Sequence, residues 1–231
     1  MKNAIVTGGT SGIGLGIAKM LLKKGYRVYA TYVSHDYKEN IENFIQLKVD
    51  QTQRKSVYNL IEKIRKECSH IDCIVCNAGI SIRKSFTETT DEDWDNQMEV
   101  AVNSHYIIIK RLYDLIPNGS RILFTGSQMA VHPHATVLSY GVTKSAVCSL
   151  ARNLVKEFEG TNTTVNAIIP GFVDTPWQKD KPEEIKQNIY KKTAIHRFAS
   201  IEEVVKAYEF CIDNAFVNGS MIEVNGGYCY K

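Results

Sequence analysis

Tyr140 and Lys144 stand four residues apart in segment 139–159, whose apolar spacing predicts a helix. Residues four apart share one helix face, so the phenol and the ammonium meet. A free phenol titrates near pH 10, and a neighbouring ammonium lowers its pKa toward neutrality. Tyr140 could then donate a proton to a carbonyl as hydride arrives. The spacing predicts a general acid supported by a lysine, although such pairs also arise by chance on exposed helices.

Two more polar residues lie where they could assist this chemistry. Ser127 follows the apolar run 121–125, and a hydroxyl at a strand end can hold a substrate oxygen. Asn103 lies inside the predicted helix 91–116, where a buried amide is costly unless it is paired. Asn103 is therefore either a site residue or the donor of a structural hydrogen bond.

A glycine-rich loop follows the first predicted strand and opens the first predicted helix. Its sequence is Thr7-Gly8-Gly9-Thr10-Ser11-Gly12-Ile13-Gly14. Glycine lets a backbone approach a pyrophosphate, and the helix N-terminus favours the negative charge. The spacing differs from Gly-x-Gly-x-x-Gly, and many such turns in α/β proteins bind nothing charged. The position after the first strand, at the expected switch point of a doubly wound sheet, favours a dinucleotide site.

The end of the second predicted strand bears on the choice of cofactor. Tyr32 stands where an acidic residue would bind a ribose 2′-hydroxyl. Asp36 is near, but Asp36 and Glu39 fit a capping box at the start of a helix, which explains both without a ligand. Groups that could bind a 2′-phosphate lie at or just after the end of the strand: Thr31, Ser34 and His35. We therefore predict that NADP(H) is favoured over NAD(H), although Ser11 offers the phosphate no positive charge.

Short β-rich runs alternate with helical segments, which indicates βαβ units and a parallel sheet. Predicted strands span 4–7, 27–32, 45–49, 73–77, 121–125, 164–169 and 221–224. Predicted helices span 13–24, 91–116, 139–159 and 201–213, with another around 57–64. We predict an α/β protein with a single Rossmann domain over 1–231, a doubly wound seven-stranded parallel sheet flanked by helices. The polar stretch 178–192 is typical of either a mobile insertion over a site or a surface helix.

Composition and charge limit the partners. The 231 residues include 28 Lys plus Arg and 25 Asp plus Glu, a net charge of +3 scattered along the chain, which argues against nucleic acid. No apolar run reaches the length of a membrane span. The chain leads from Met1 directly into a strand-like run without the features of a secretory signal, so we expect a cytoplasmic protein that does not use a membrane.

The six cysteines have no framework spacing, so we expect reduced thiols: Cys68, Cys73, Cys76, Cys148, Cys211 and Cys229. Cys73 and Cys76 form a Cys-x-x-Cys within a predicted strand. Extended geometry directs these two side chains to opposite faces of the sheet, which disfavours a shared redox or metal role. We predict no metal site.

Taken in order, these motifs resemble the classical short-chain dehydrogenases/reductases, and the match covers essentially the whole chain. The motifs are the glycine loop, the strand end Cys76-Asn77-Ala78-Gly79 and the active-site triad of Ser127, Tyr140 and Lys144. Asn103 completes the family's tetrad. The resemblance implies that Asn103, Ser127, Tyr140 and Lys144 are catalytic.

The resemblance also implies a set of cofactor contacts. Asp50 matches a residue that contacts the adenine amine, although a helix cap would also explain it. Segment 170–175 resembles the part of the family that sets the nicotinamide face, with Thr175 reaching the carboxamide, which implies B-face hydride transfer. The implied contacts are Gly8, Thr10, Ser11, Gly12, Ile13, Gly14, Tyr32, Ser34, Asp50, Asn77, Ala78, Gly79, Tyr140, Lys144, Pro170, Gly171, Val173 and Thr175.

Within the family, the closest likeness is to the 3-oxoacyl-acyl-carrier-protein reductases of fatty acid biosynthesis. It implies NADP(H)-dependent reduction of a ketone, on a small-molecule or acyl-thioester carbonyl, with a substrate loop at about 172–198. It also implies a homo-oligomer, a tetramer or dimer, assembled through helices 91–116 and 139–159. The alternatives are an NAD-dependent alcohol dehydrogenase of the same family and a non-catalytic dinucleotide-sensing protein on the same fold. Intact Tyr140 and Lys144 favour an enzyme.

Three departures from the family pattern affect these expectations. Cys76 replaces the first Asn of the strand-end sequence. Segment 132–134, His-Pro-His, lies where many relatives carry small residues, which leaves the substrate open. Segment 117–119, Pro-Asn-Gly, ends the preceding helix early and could trim the oligomer interface.

Overall fold

A computed structural model describes residues 1–178, 181–228 and 230. Its strands are β1 (Lys2–Val6), β2 (Tyr26–Tyr32), β3 (Phe44–Lys48), β4 (Cys73–Cys76), β5 (Arg121–Thr125), β6 (Thr164–Pro170) and β7 (Met221–Val224). They form one parallel sheet in the order β3-β2-β1-β4-β5-β6-β7. The predicted doubly wound seven-stranded sheet is confirmed. The order reverses between β1 and β4, so the loops that follow these two strands diverge and leave a crevice at the carboxyl edge.

Helices cover both faces of the sheet. They are α1 (Gly12–Lys23), α2 (Arg54–Glu67), α3 (Asp91–Met98), α4 (Ser104–Arg111), α5 (Leu138–Glu157), α6 (Glu183–Tyr190) and α7 (Ile201–Asp213). Ile17 of α1 and Val204 of α7 lie in one buried apolar cluster, and Ile64 of α2 and Val147 of α5 lie in the other. No helix in the described residues has the length and apolar character needed to cross a bilayer.

Because successive side chains along a strand point to opposite faces of the sheet, the buried strands contribute residues to both apolar clusters. Cys73 belongs to one cluster and Cys76 to the other, so the two thiols lie on opposite faces, as predicted. Burial raises the pKa of both thiols, that of Cys73 to about 12. Cys229 lies outside the described residues.

The predicted helix 91–116 is interrupted. A capping box between Thr90 and Asp93 starts α3, and the π-helical turn Glu99–Asn103 separates α3 from α4. A π turn carries an extra residue, so it changes which side chains face the sheet. A 3₁₀ turn follows at Tyr113–Leu115.

Two further predictions concern the segments 36–39 and 178–192. The predicted capping box at Asp36 is wrong, because residues 35–40 form no helix. The side-chain amide of Gln46 instead binds the backbone N–H and C=O of Tyr37, and Lys38 pairs with Asp36 at 2.7 Å. Within the polar stretch 178–192, residues 183–190 form the largely exposed helix α6, and residues 179 and 180 lie outside the description.

Candidate active site

A cavity of about 660 Å³ opens at the carboxyl edge, where β1 and β4 diverge. Most of the predicted site residues line it: Gly8, Ser11, Gly12, Ile13, Gly14, Tyr32, Ser34, Asp50, Asn77, Ala78, Gly79, Ser127, Tyr140, Lys144, Pro170, Gly171, Val173 and Thr175. Thr10 and Asn103 are the two that do not. The buried Thr10 hydroxyl donates to the His35 carbonyl at 2.7 Å, so it braces the loop from behind.

The glycine loop has the conformation and the free donors of an anion site. Gly8 and Gly12 have φ of +61° and +51°, and a Cβ on Gly14 would lie 2.1 Å from the Gly8 carbonyl oxygen. Ser11 precedes α1 without a side-chain capping bond, and the first turn of α1 holds no acidic residue. The backbone N–H groups of this turn are thus available to an anion, which the helix dipole favours.

Hydrogen bonds from neighbouring strands hold the loop in place. Asn77 Nδ2 donates to the carbonyl oxygens of Thr7 and Gly8 at 3.0 and 3.3 Å. Asn77 Oδ1 accepts from the Thr125 hydroxyl at 3.0 Å, and that hydroxyl lies 2.6 Å from the hydroxyl of buried Tyr208. These bonds hold the strand end in place even though Cys76 replaces the first Asn of the family's strand-end sequence. Sequence reasoning missed Thr125 and Tyr208.

Tyr140 and Lys144 lie together on the first turns of α5. Lys144 Nζ is 5.7 Å from the centre of the Tyr140 ring and donates to the Thr125 carbonyl at 2.7 Å. A Cβ on Gly79 would lie 3.3 Å from Nζ, so this glycine leaves room for the lysine. Lys144 is 3% exposed, and burial lowers its pKa to about 8.

The predicted lowering of the Tyr140 pKa by Lys144 is wrong for the protein by itself. Burial raises the pKa of Tyr140, and the effects of the Ser127 hydroxyl and the Arg83 charge offset this only in part. The Lys144 ammonium is directed to a backbone carbonyl rather than to the phenol oxygen. A raised pKa keeps Tyr140 protonated at neutral pH, the state that a general acid needs.

Ser127 and Asn103 differ in their placement. Ser127 lines the cavity, where it precedes the 3₁₀ turn Gln128–Ala130 and accepts from the Met129 N–H at 3.2 Å. The Asn103 side chain donates to Glu99 at 2.7 Å, and Glu99 pairs with Arg54. The side chain of Asn103 therefore makes a structural hydrogen bond, and the structure does not bring it to the other three.

Some residues that were predicted to bind a 2′-phosphate also make hydrogen bonds within the protein. The Thr31 hydroxyl accepts from the Gly8 N–H at 3.0 Å and is buried, so it supports the glycine loop. Ser34 lines the cavity, and its hydroxyl lies 2.7 Å from His35 Nδ1. The expected helix after His35 is absent, so no helix dipole assists at this point. Asp36 does not line the cavity.

Asp50 does not cap α2, which begins after Gln53. Its carboxylate accepts from the Thr52 N–H at 3.0 Å and from the Thr52 hydroxyl at 2.7 Å while lining the cavity. The neighbouring Gln51 also lines the cavity and was not anticipated; its place directly after β3 was the available signal. No cluster of three or more metal-binding side chains occurs within the described ranges.

Known proteins resemble this chain over its full length. A family model described as enoyl-(acyl carrier protein) reductase matches residues 8–229. A 3-oxoacyl-[acyl-carrier-protein] reductase from Aquifex aeolicus is 31% identical, with 98% of this chain and 96% of the relative covered. A short chain dehydrogenase family protein from Francisella tularensis superposes with a TM-score of 0.92 at 26% identity, with 100% of both chains covered. This chain belongs to the short-chain dehydrogenase/reductase family.

The chain is therefore an oxidoreductase that acts on CH–OH groups with NAD or NADP as acceptor. This enzymatic assignment decides against the alternative of a non-catalytic dinucleotide-sensing protein. Another relative, a 2-dehydro-3-deoxy-D-gluconate 5-dehydrogenase from Pseudoalteromonas atlantica, is 28% identical, with 98% of this chain and 95% of the relative covered. Relatives of comparable identity thus carry names that differ in substrate.

Proposed function

We propose that the protein reduces a ketone to a secondary alcohol with NADP(H), in the manner of a 3-oxoacyl-acyl-carrier-protein reductase. The observation that carries the proposal is the convergence of Ser127, Tyr140 and Lys144 with the uncapped N-terminus of α1 on one cavity. A proton donor and an anion site in one crevice are what a dinucleotide-dependent carbonyl reduction requires.

The residues present fit a dinucleotide. The N–H groups at the start of α1 would hold the pyrophosphate, and three cavity residues would contact the two ends of the cofactor, Asp50 the adenine and Val173 and Thr175 the nicotinamide. The bound cofactor supplies the hydride. Lys144 would bind the nicotinamide ribose, because its ammonium has two further protons besides the one given to Thr125.

Ser127 and Tyr140 would hold the substrate carbonyl oxygen between their hydroxyls. Tyr140 would donate its proton to this oxygen as the alcohol forms, and the positive charge of Arg83, which lowers the pKa of Tyr140, would stabilise the phenolate left behind. Segment 172–198, which contains α6, forms the substrate loop in this proposal. Two copies or four would associate through α4 and α5, on which Tyr106 and Val142 are exposed hydrophobic residues.

A second candidate substrate is a small carbonyl compound that carries a carboxylate. Arg83 acts electrostatically on both Tyr140 and Lys181, and neither Arg83 nor Lys181 has a carboxylate partner among the described residues. A cation that acts on the proton donor, with a second cation within reach of the first, favours a negatively charged substrate. The sugar acid in the name of the Pseudoalteromonas relative is of this class.

A substrate panel tests the proposal. Purified protein is mixed with NADPH or NADH and an acetoacetyl thioester, a neutral ketone or an anionic keto acid, and cofactor oxidation is followed by absorbance. We expect turnover with NADPH and the thioester as the leading activity, whereas faster turnover of the keto acid would select the second candidate. No turnover of any carbonyl by a protein that binds NADPH would contradict both.

A further inference from the structure

A buried polar cluster adjoins the inner wall of the cavity, and the mechanism above does not use it. It consists of Thr7, Gln51, Ser104 and His105, each no more than 3% exposed. Gln51 Nε2 donates to the Ser104 hydroxyl at 2.6 Å and to the Val100 carbonyl at 3.2 Å. Buried polar groups persist only where they are paired, so each bond here restricts the others.

The bonds determine the tautomer of His105. Nδ1 lies 2.7 Å from the Ala101 carbonyl oxygen, which can only accept, so Nδ1 carries the proton. Nε2 then has one free lone pair, to which the Thr7 hydroxyl donates at 2.9 Å, whereas Gln51 Nε2 lies farther away at 3.3 Å and already gives its two protons to Ser104 and Val100. Burial lowers the pKa of His105 to about 3, so the ring is neutral at physiological pH.

The Thr7 hydroxyl in turn holds the next strand end. The backbone N–H groups of Asn77 and Ala78 both donate to Thr7 Oγ1 at 2.9 Å, which uses both of its lone pairs. Its own proton must then go to an acceptor. His105 Nε2 at 2.9 Å is closer than the other candidate, the Val75 carbonyl at 3.4 Å.

We propose that His105 is a positioning residue for the dinucleotide, because its Nε2 orients the Thr7 hydroxyl that fixes Asn77 and Ala78 against the glycine loop. Both of these residues line the cavity, and Asn77 also bonds to the loop carbonyls. The inference rests on the proposed cofactor site. Loss of the acceptor would let the strand end rotate and would weaken cofactor binding before it affected chemistry.

The test replaces His105 by residues that keep or remove the acceptor. His105→Phe keeps the ring volume and the edge contact with Phe124 but removes both nitrogens. His105→Gln supplies an oxygen acceptor for Thr7 and an amide donor for Ala101. The control is His70→Phe, since His70 lies outside the cavity, ahead of β4. NADPH affinity is measured by fluorescence titration, together with kcat at saturating NADPH.

We expect the Kd for NADPH to rise about tenfold in His105→Phe, with kcat at saturation within about threefold of the wild type. His105→Gln and His70→Phe should stay within about threefold in Kd. A folded His105→Phe protein that binds NADPH as tightly as the wild type would overturn the proposal. Failure of the wild-type protein to bind NADPH or NADH would refute the proposed function instead.

A second measurement covers the case in which His105→Phe does not fold. NMR of the wild-type protein with ¹⁵N-labelled histidine reports which ring nitrogen carries the proton. We expect Nδ1 of His105 to be protonated and Nε2 to be bare, unchanged from pH 8 to pH 5. A proton on Nε2 would mean that Thr7 is not held by His105 and would overturn the proposal.

Discussion

The inner wall of the cavity and its rim are built in different ways. The inner wall includes Asn77, Thr125 and Lys144 and is backed by Thr7, and these residues bond to one another's side chains or backbone. The rim includes Ile80 and residues 175–178, and the side chains of Trp177 and of nearby Arg83 are exposed. We infer that the wall serves whatever substrate the protein takes, whereas the rim determines which substrate fits.

The physical reason lies in the cost of buried polar groups. An unpaired buried donor or acceptor costs about 1–3 kcal/mol, so a change in one wall residue leaves several partners unsatisfied. An exposed group can return to water at little cost. We therefore expect wall substitutions to affect cofactor binding and turnover for all substrates, and rim substitutions to affect pH dependence or substrate choice.

The largest effect is expected from Tyr140→Phe, which removes the proton donor at the boundary between wall and rim. The substitution should lower kcat at least about 100-fold, the usual contribution of general acid catalysis, and leave NADPH binding within a few-fold. Steady-state kinetics and cofactor titration measure both. Tyr58→Phe, on α2 and outside the cavity, is the control. Turnover near the wild-type rate in Tyr140→Phe would refute the mechanism.

Lys144→Met should reduce both turnover and cofactor affinity, but it should make the protein more stable. Burial lowers the pKa of this ammonium from 10.5 to about 8 in the folded chain. Below pH 8 the lysine is charged in both the folded and the unfolded chain, and its burial lowers the free energy of unfolding by about 3 kcal/mol. Between pH 8 and 10.5 the unfolded chain binds more protons at this lysine, so the cost disappears as the pH rises. The lost bond to Thr125 reduces the net gain to about 1–2 kcal/mol at pH 7.

Thermal and denaturant unfolding of Lys144→Met at pH 7 to 10 measure this gain. The difference from the wild type should be largest at pH 7 and should shrink above pH 8. Lys156→Met, an exposed position on the same helix, is the control. A variant that is less stable than the wild type at pH 7 would show that Lys144 supports the wall rather than straining it.

The sequence predicts features that depend on local signals better than features that depend on contacts between distant elements. The glycine loop, Asn77 and the Tyr140–Lys144 spacing were predicted because strand, turn and helix signals are local. The orientation of Asn103 was not, because the π turn before α4 changes the helix register without a recognisable sequence signal. His105 was missed because burial of a lone histidine depends on packing between distant elements.

The wrong prediction for Asp36, near the proposed adenine side of the cavity, also results from a contact between distant segments. The predicted cap at Asp36 failed because Gln46, from the neighbouring strand β3, occupies the backbone groups of Tyr37 that a helix would need. Thr31 lines the cavity, and its hydroxyl accepts from the Gly8 N–H and keeps its own proton for another acceptor. At Asp36 a partner distant in sequence outweighs a sound local pattern. The substrate likewise depends on rim segments that no local pattern specifies.

Arg83→Gln tests the rim with an effect on pH dependence rather than on maximal rate. The Arg83 charge lowers the pKa of Tyr140, so its removal should raise that pKa further. Reduction requires protonated Tyr140, and the alkaline limb of the kcat profile should therefore move to higher pH. Lys84→Gln is the neighbouring control, because Lys84 is paired with Asp93 at 2.6 Å. Equal shifts in both variants would point to net charge and not to Arg83.

The smallest effect is expected from Asp36→Ala, which tests cofactor choice. A carboxylate within about 4 Å of the 2′-phosphate would oppose it by roughly 4 kcal/mol per charge pair at an effective dielectric constant of 20. Asp36 lies off the cavity and is paired with Lys38, whose ammonium lowers the pKa of the Asp36 carboxyl. Tyr32 brings no charge to the site, and no described arginine lines it.

We therefore expect the wild-type protein to bind NADPH about tenfold more tightly than NADH, not a thousandfold, because hydroxyl donors such as Ser34 replace an arginine clamp. Asp36→Ala should leave this ratio and the melting temperature nearly unchanged, since the residue neither caps a helix nor faces the cofactor. Fluorescence titration with both cofactors measures the ratio. A sharp gain in NADPH affinity in the variant would show that Asp36 turns toward the ribose. Tighter binding of NADH by the wild type would reverse the assignment of the cofactor.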